Sequence, residues 1–130
     1  KRWRSFASMT TSEMATVLAW HDALNAGDLD TLLSLSSDDL EIGDAHGAAP
    51  GHAALRDWAQ GLDGTAEPGR IYVNDGVVVV EQQVVSVTGE VGTAASAFRV
   101  VHDHVTSVFR HHDLAAALAA TELTEADLTG

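Results

Sequence analysis

Carboxylates, an arginine and several histidines set into apolar runs are the groups in this sequence that could do chemistry. Asp44 closes the alternating stretch Leu40-Glu41-Ile42-Gly43-Asp44, which puts it at the end of a predicted strand, just before a loop that carries His46. A carboxylate in an apolar pocket has its charged form disfavoured, which moves it toward the range a general base needs. His46, beside it at the pocket mouth, could shuttle the proton or touch a ligand. An aspartate at a strand end also suits a turn, whose backbone its side chain can cap. Glu81 and Arg110 fall in two later β-rich stretches. A guanidinium between Asp44 and Glu81 would keep both acids ionised and oriented, a set able to activate a water, whereas an ion pair on the outer sheet surface is the plainer alternative. His102-Asp103-His104 and His111-His112 invite a metal, because strand residues two apart share a face. His102 and His104 flank a predicted turn where histidines are solvated, so no metal is assigned, and no cofactor is called for.

The balance of 7 Lys+Arg against 19 Asp+Glu gives a net charge of -12 and a pI near 4.6. Such a charge repels a phosphate backbone or an anionic membrane surface, so neither nucleic acid nor membrane is an expected partner. The acidity serves solubility, consistent with a cytoplasmic protein. Apolar runs such as Val77 to Val80 are far too short to span a bilayer. With no cysteine, a disulfide scaffold, a thiol nucleophile and a thiolate metal site are excluded.

A chain of 130 residues makes one domain, which can bury about two-thirds of its unfolded surface. Residues 1–9 are expected as a disordered arm or an expression remnant, residues 10–122 as the folded domain, and residues 123–130 as a flexible tail. Thr10-Thr11-Ser12-Glu13 has capping-box spacing and predicts a helix from about Ser12 to Asn25, stopped by Ala26-Gly27. Asp28 caps a second, shorter helix that dissolves into Ser36-Ser37-Asp38-Asp39. Leu40 to Ile42 alternates as a strand, a loop follows, and a third helix from Gly51 to near Gly64 carries Ala54, Leu55, Trp58, Ala59 and Leu62 on one face. Residues 63–69 read as connector. Arg70–Val73, Val77–Val87, Thr93–His102 and His104–His112 read as strands, and Leu114–Thr121 as helix by propensity.

Three helices followed by a strand meander is an α+β order, in which the sheet curls round the helices and leaves an open rim for a pocket. Strand alternation turns Glu81, Gln83 and Val85 toward that pocket, with Ala94, Ser96, Phe98 and Val100 on the next strand, and Val108, Arg110 and His112 on the last. A slip of one residue would reverse each set.

The runs Trp20-His21-Asp22-Ala23-Leu24-Asn25-Ala26-Gly27-Asp28-Leu29-Asp30, Asp38 to Asp44 and Gly51 to Trp58, with the ending Val105 to Asp113, resemble the nuclear transport factor 2-like superfamily. The nearest branch is that of SnoaL-like polyketide cyclases and ketosteroid isomerases. The resemblance implies a cone-shaped curved antiparallel (mixed) sheet packed on three N-terminal helices. It further implies an apolar polyketide- or steroid-like small ligand and a homodimer formed through the convex face, where parity puts Phe109. By the same resemblance Asp44 is the base that moves a proton beside a carbonyl, Trp58 is an apolar wall, and Trp20 and Ser96 stand where isomerases keep their oxyanion donors. Asp44, Glu81 and Arg110 together resemble the site of the superfamily's epoxide hydrolases. The fold hosts isomerases, cyclases and hydrolases as well as non-catalytic binding or dimerisation modules, so individual pocket residues must decide.

Overall fold

In the computed structural model residues 2–44, 46–62 and 64–129 are described, with side chains from residue 12 onward. The first helix, α1, spans Arg2–Ala26. It thus runs back through residues 2–9, expected as an arm, and the Thr10–Glu13 box lies inside it. A capping box needs a non-helical first residue, and no glycine or proline between residues 2 and 11 interrupts the helix. Its C-terminus ends as expected. Gly27 takes φ +71°, its N–H bonds the Leu24 carbonyl at 3.2 Å and the Asp28 N–H reaches the Ala23 carbonyl at 2.9 Å, the paired closure that only a residue free of Cβ strain makes cheaply.

Asp28 caps α2 (Leu29–Ser34) by accepting the Thr31 N–H. Strand β1 (Ser36–Asp44) starts earlier than its alternation suggested, and β2 (Gly47–Pro50), expected as loop, folds back on it antiparallel. Gly43 permits that approach, since a Cβ there would collide with the Gly47 carbonyl and Ala48. Helix α3 (Gly51–Gln60) follows. Strand β3 (Thr65–Asn74) also starts early, absorbing most of the expected connector, with an irregularity between Pro68 and Ile71. Pro68 is tolerated because β3 is an edge strand. Strands β4 (Val77–Val85), β5 (Val91–Val101) and β6 (His104–His111) complete the sheet. Asp75 and Gly76, both at positive φ, make the tight β3–β4 turn.

The six strands run β2-β1-β6-β5-β4-β3. All described neighbours are antiparallel except β1 and β6, which are parallel. The sheet is curved and open, with α1, α2 and α3 against its inner face, the architecture expected from the order of elements. The inner core joins Val17 and Trp20 of α1 to Leu32, Leu55, Ile42, Val78, Val80, Phe98 and Val108.

A second core lies on the outer face. Helix α4 (Leu114–Thr121), capped by Asp113, packs there over Tyr72, Val79 and Ala95. The segment expected as a tail also engages the sheet. Leu123 is buried in this outer core, Tyr72 donates its hydroxyl to Glu125 at 3.1 Å, and the Thr129 N–H bonds the Ile71 carbonyl at 2.7 Å. No helix among the described residues is long and apolar enough to cross a membrane.

Candidate functional site

Where the inner face is not filled by side chains, a cavity of about 240 Å³ remains between α1, α3 and the sheet. Its apolar walls are Trp20 and Leu24 of α1, Trp58 of α3, Leu62, Val84 of β4 and Val108 of β6. Trp20 is held edge-on against Phe98 at 5.2 Å between ring centroids, and Trp58 lies 6.0 Å from Trp20. Asn25 pins the rim: its amide donates to the Ala66 carbonyl and accepts the Ala66 N–H, each at 2.9 Å, fastening the start of β3 to α1.

The polar side chains of the lining are Gln82, Ser96 and Arg110 on the sheet's inner face and Thr65 at the start of β3. Ser96 and Arg110 stand directly opposite each other on β5 and β6, so their side chains share a face of neighbouring strands. Arg110 is half-buried, and among the described residues no carboxylate pairs with it.

Gln82 and Ser96 belong to a buried chain that continues to His21. Ser96 donates to Gln82 Oε1 at 2.9 Å, Gln82 Nε2 meets His21 Nε2 at 2.8 Å, and His21 Nδ1 bonds the Val17 carbonyl at 2.8 Å. The three side chains are only 4%, 5% and 0% exposed, in that order from Ser96. Burial holds the His21 imidazole below the ordinary histidine pKa, outweighing the opposing pull of the Val17 carbonyl and of the Asp22 and Glu67 charges. His21 is therefore a neutral ring, wedged between Trp20 and Phe98.

Several predicted site residues occupy these positions and others do not. Trp20, Trp58, Ser96, Val108 and Arg110 line the cavity. Phe98 faces inward but lies in the core beneath, against Trp20 and His21. Strand β4 has the opposite register to the one expected. Gln82 and Val84 face in, Gln83 is exposed, and Glu81 pairs outside with Arg70 at 3.1 Å. Val80 and Val78 already fill the inner face, and every second residue after them must follow. The Asp44–Arg110–Glu81 set is thus not assembled, and the outer ion pair of Glu81 is made with a different arginine. His112 lies past the end of β6, exposed and beside Asp113.

Trp20 cannot serve as an oxyanion donor, because its indole N–H is given to Ser36 Oγ at 3.1 Å. Asp44 is exposed, and its Oδ1 accepts the His46 N–H at 2.8 Å, so it caps the turn. Asp44 and His46 line a separate, more open depression, and Trp58 is common to its lining and that of the cavity. The parallel pairing of β1 with β6 ends at Gly43 and Phe109. Asp44 and Arg110 come next on their strands, with the parity of the inward pair Ile42 and Val108.

His21, Gln82, Val84 and Asn25 were missed as site residues. Val17, Trp20, His21 and Leu24 share one helical face, which marks His21 as buried. No group of three or more His, Asp or Glu among the described residues is arranged to hold a metal.

The fold matches solved structures at low identity. An NTF2-like protein of unknown function from Cytophaga hutchinsonii is 13% identical, with TM-score 0.69 over 78% of this chain and 89% of that one. A candidate polyketide cyclase from Sinorhizobium meliloti is 19% identical, with TM-score 0.67 over 75% and 94%. A candidate ketosteroid isomerase from Kribbella flavida is 17% identical, with TM-score 0.71 over 78% and 77%. No curated protein matches the chain. The SnoaL-like domain model matches residues 17–118, most of the folded unit and every residue lining the cavity; the chain belongs to the SnoaL-like domain family.

Proposed function

We propose that the cavity binds a small, largely apolar carbonyl compound through an anionic or developing oxyanion held by Arg110, and that Asp44 at the rim takes a proton from the carbon beside that carbonyl. The observation that carries the proposal is a half-buried guanidinium, without an acid partner among the described residues, on an otherwise largely apolar wall. A cation in such a place is poorly solvated, and an incoming oxygen anion gains what water no longer supplies. The indole of Trp20 and the hydroxyl of Ser96 spend their protons on Ser36 and Gln82, which leaves Arg110 to meet charge developing on the ligand. The ligand proton would pass to the Asp44 carboxylate, and the enolate so formed would either regain a proton at another carbon or attack a second carbonyl. A volume of about 240 Å³, below the about 300–1,000 Å³ of drug-sized ligand pockets, favours one or two rings inside over a four-ring steroid.

The exposure of Asp44 and its bond to the His46 amide favour a second reading, in which the cavity binds without chemistry. Tryptophan fluorescence titration with 2-naphthoate, and deuterium exchange at the α carbons of 2-tetralone followed by NMR, separate the two. Arg110→Met is expected to weaken 2-naphthoate at least tenfold with the fold intact. Asp44→Asn is expected to keep binding and lose accelerated exchange. Exchange surviving in Asp44→Asn removes Asp44 as the base; binding without exchange in the parent protein supports the non-catalytic module.

A further inference from the structure

The direction of every hydrogen bond in the buried chain beneath the cavity follows from one fixed end. A backbone carbonyl can only accept, so His21 Nδ1 must carry the proton it gives to Val17 at 2.8 Å. The ring is fully buried and neutral, so its Nε2 is bare and must accept. Gln82 then has to turn its NH2 group toward His21 and its carbonyl oxygen toward Ser96. Ser96 in turn has to donate, at 2.9 Å. A hydroxyl has one proton and two lone pairs. With its proton spent on Gln82, Ser96 shows only lone pairs to the cavity it lines.

We infer that Ser96 receives a hydrogen bond from the ligand, so that the cavity selects compounds carrying a phenolic or enolic hydroxyl on the same small ring system as the oxygen anion held by Arg110. The inference rests on the cavity proposed above and adds the second polar group of its ligand. Ser96 and Arg110 are opposed across β5 and β6, so one planar ligand can meet both, the serine as acceptor and the guanidinium as donor. Ser96 thus acts opposite to the oxyanion donor whose place it fills. His21 and Gln82 are positioning residues that set its polarity from within the core.

The test uses 2-naphthoate, its ring-hydroxylated isomers and their methyl ethers, titrated by tryptophan fluorescence. Isomers with the hydroxyl adjacent to the carboxylate are left out, because they spend the proton internally. At least one phenol is expected to bind about five- to tenfold tighter than 2-naphthoate, as a net hydrogen bond of about 1 kcal/mol or slightly more gives. Its methyl ether, which can only accept, should lose the gain. In Ser96→Ala the ratio of phenol to 2-naphthoate affinity should fall to that of the methyl ether to 2-naphthoate. The comparison of phenol, ether and parent acid on the unmodified protein stands even if Ser96→Ala does not fold. An ether as tight as its phenol, no isomer with a gain, or a gain that survives in Ser96→Ala overturns the inference and leaves the cavity intact. Failure of 2-naphthoate to bind, or binding indifferent to Arg110→Met, removes the cavity assignment itself and the inference with it.

Discussion

Replacing His21 with leucine probes the buried chain where it is anchored. The imidazole is fully buried, 5.3 Å from the Phe98 ring and 5.9 Å from Trp20, and it accepts the Gln82 amide at 2.8 Å. Leucine fills much of the same space but leaves the Gln82 NH2 without that acceptor, a loss of about 1–3 kcal/mol for an unsatisfied buried group. His21→Leu combined with Gln82→Leu removes both partners, so the double variant should be more stable than the sum of the two single losses predicts, by about 1 kcal/mol or more. Urea unfolding followed by circular dichroism gives the four free energies of the cycle. The same residue sets a pH dependence. Its folded pKa lies below the ordinary value of 6.5, so the unfolded chain binds the proton first as pH falls. Stability is then full above 6.5 and declines below it, until the lowered folded pKa is reached, at no more than about 1.4 kcal/mol per pH unit for this one group. In His21→Leu that part of the decline should disappear. Additive single losses, or an unchanged acid slope in His21→Leu, would show that the chain does not couple as described.

Other consequences are simpler to read. Glu81→Gln breaks a partly exposed outer pair with Arg70, so it should cost under about 1 kcal/mol in urea unfolding and leave 2-naphthoate affinity unchanged. Gly64→Ala forces a side chain onto φ +113° and against the Val85 carbonyl; a loss of at least about 2 kcal/mol in the same assay is expected, and near-neutral behaviour contradicts the backbone there. Ser36→Ala strands the buried Trp20 N–H, which should cost about 1–3 kcal/mol and alter tryptophan emission. We propose that two copies pair across the outer face beside α4, around Phe109; Phe109→Glu should then shift the sedimentation coefficient to that of a monomer, and a monomeric parent protein discards the pairing.

What could be read from the sequence depended on whether one or both faces of an element are covered. Helices α2 and α3 have a solvent side, so their apolar stripes located them, although α3 stops at Gln60 with Gly61 as its cap and not near Gly64. The tight turns at Asp75-Gly76 and His102-Asp103 carried enough local chemistry to locate the hairpins. Strands β2 and the start of β3 were missed because they lie on the sheet edges, where exposed or half-buried Gly, Ala, Thr and Pro show no alternating apolar face.

The register of β4 was lost for the opposite reason. With α1 on one side and α4 on the other, Val78, Val79 and Val80 are all fully buried, so the run from Val77 shows no alternation and cannot say which of Glu81, Gln82 and Gln83 turns inward. Polar chemistry can decide what periodicity does not. His21 sits on the apolar stripe of Val17, Trp20 and Leu24, so it must be buried and must find a partner for the ring nitrogen that its own helix does not satisfy. A carboxylate brought to a buried imidazole would have to be desolvated with it, whereas an amide can meet it without burying a charge. Gln82 at the inner position satisfies His21 and leaves Glu81 outside, where Arg70 and water can hold its charge. Once that parity is set, Glu81 falls outside the cavity and Gln82 lines it beside Ser96. The chemistry of the cavity thus turns on one histidine in an apolar stripe and the neutral side chain able to bond it.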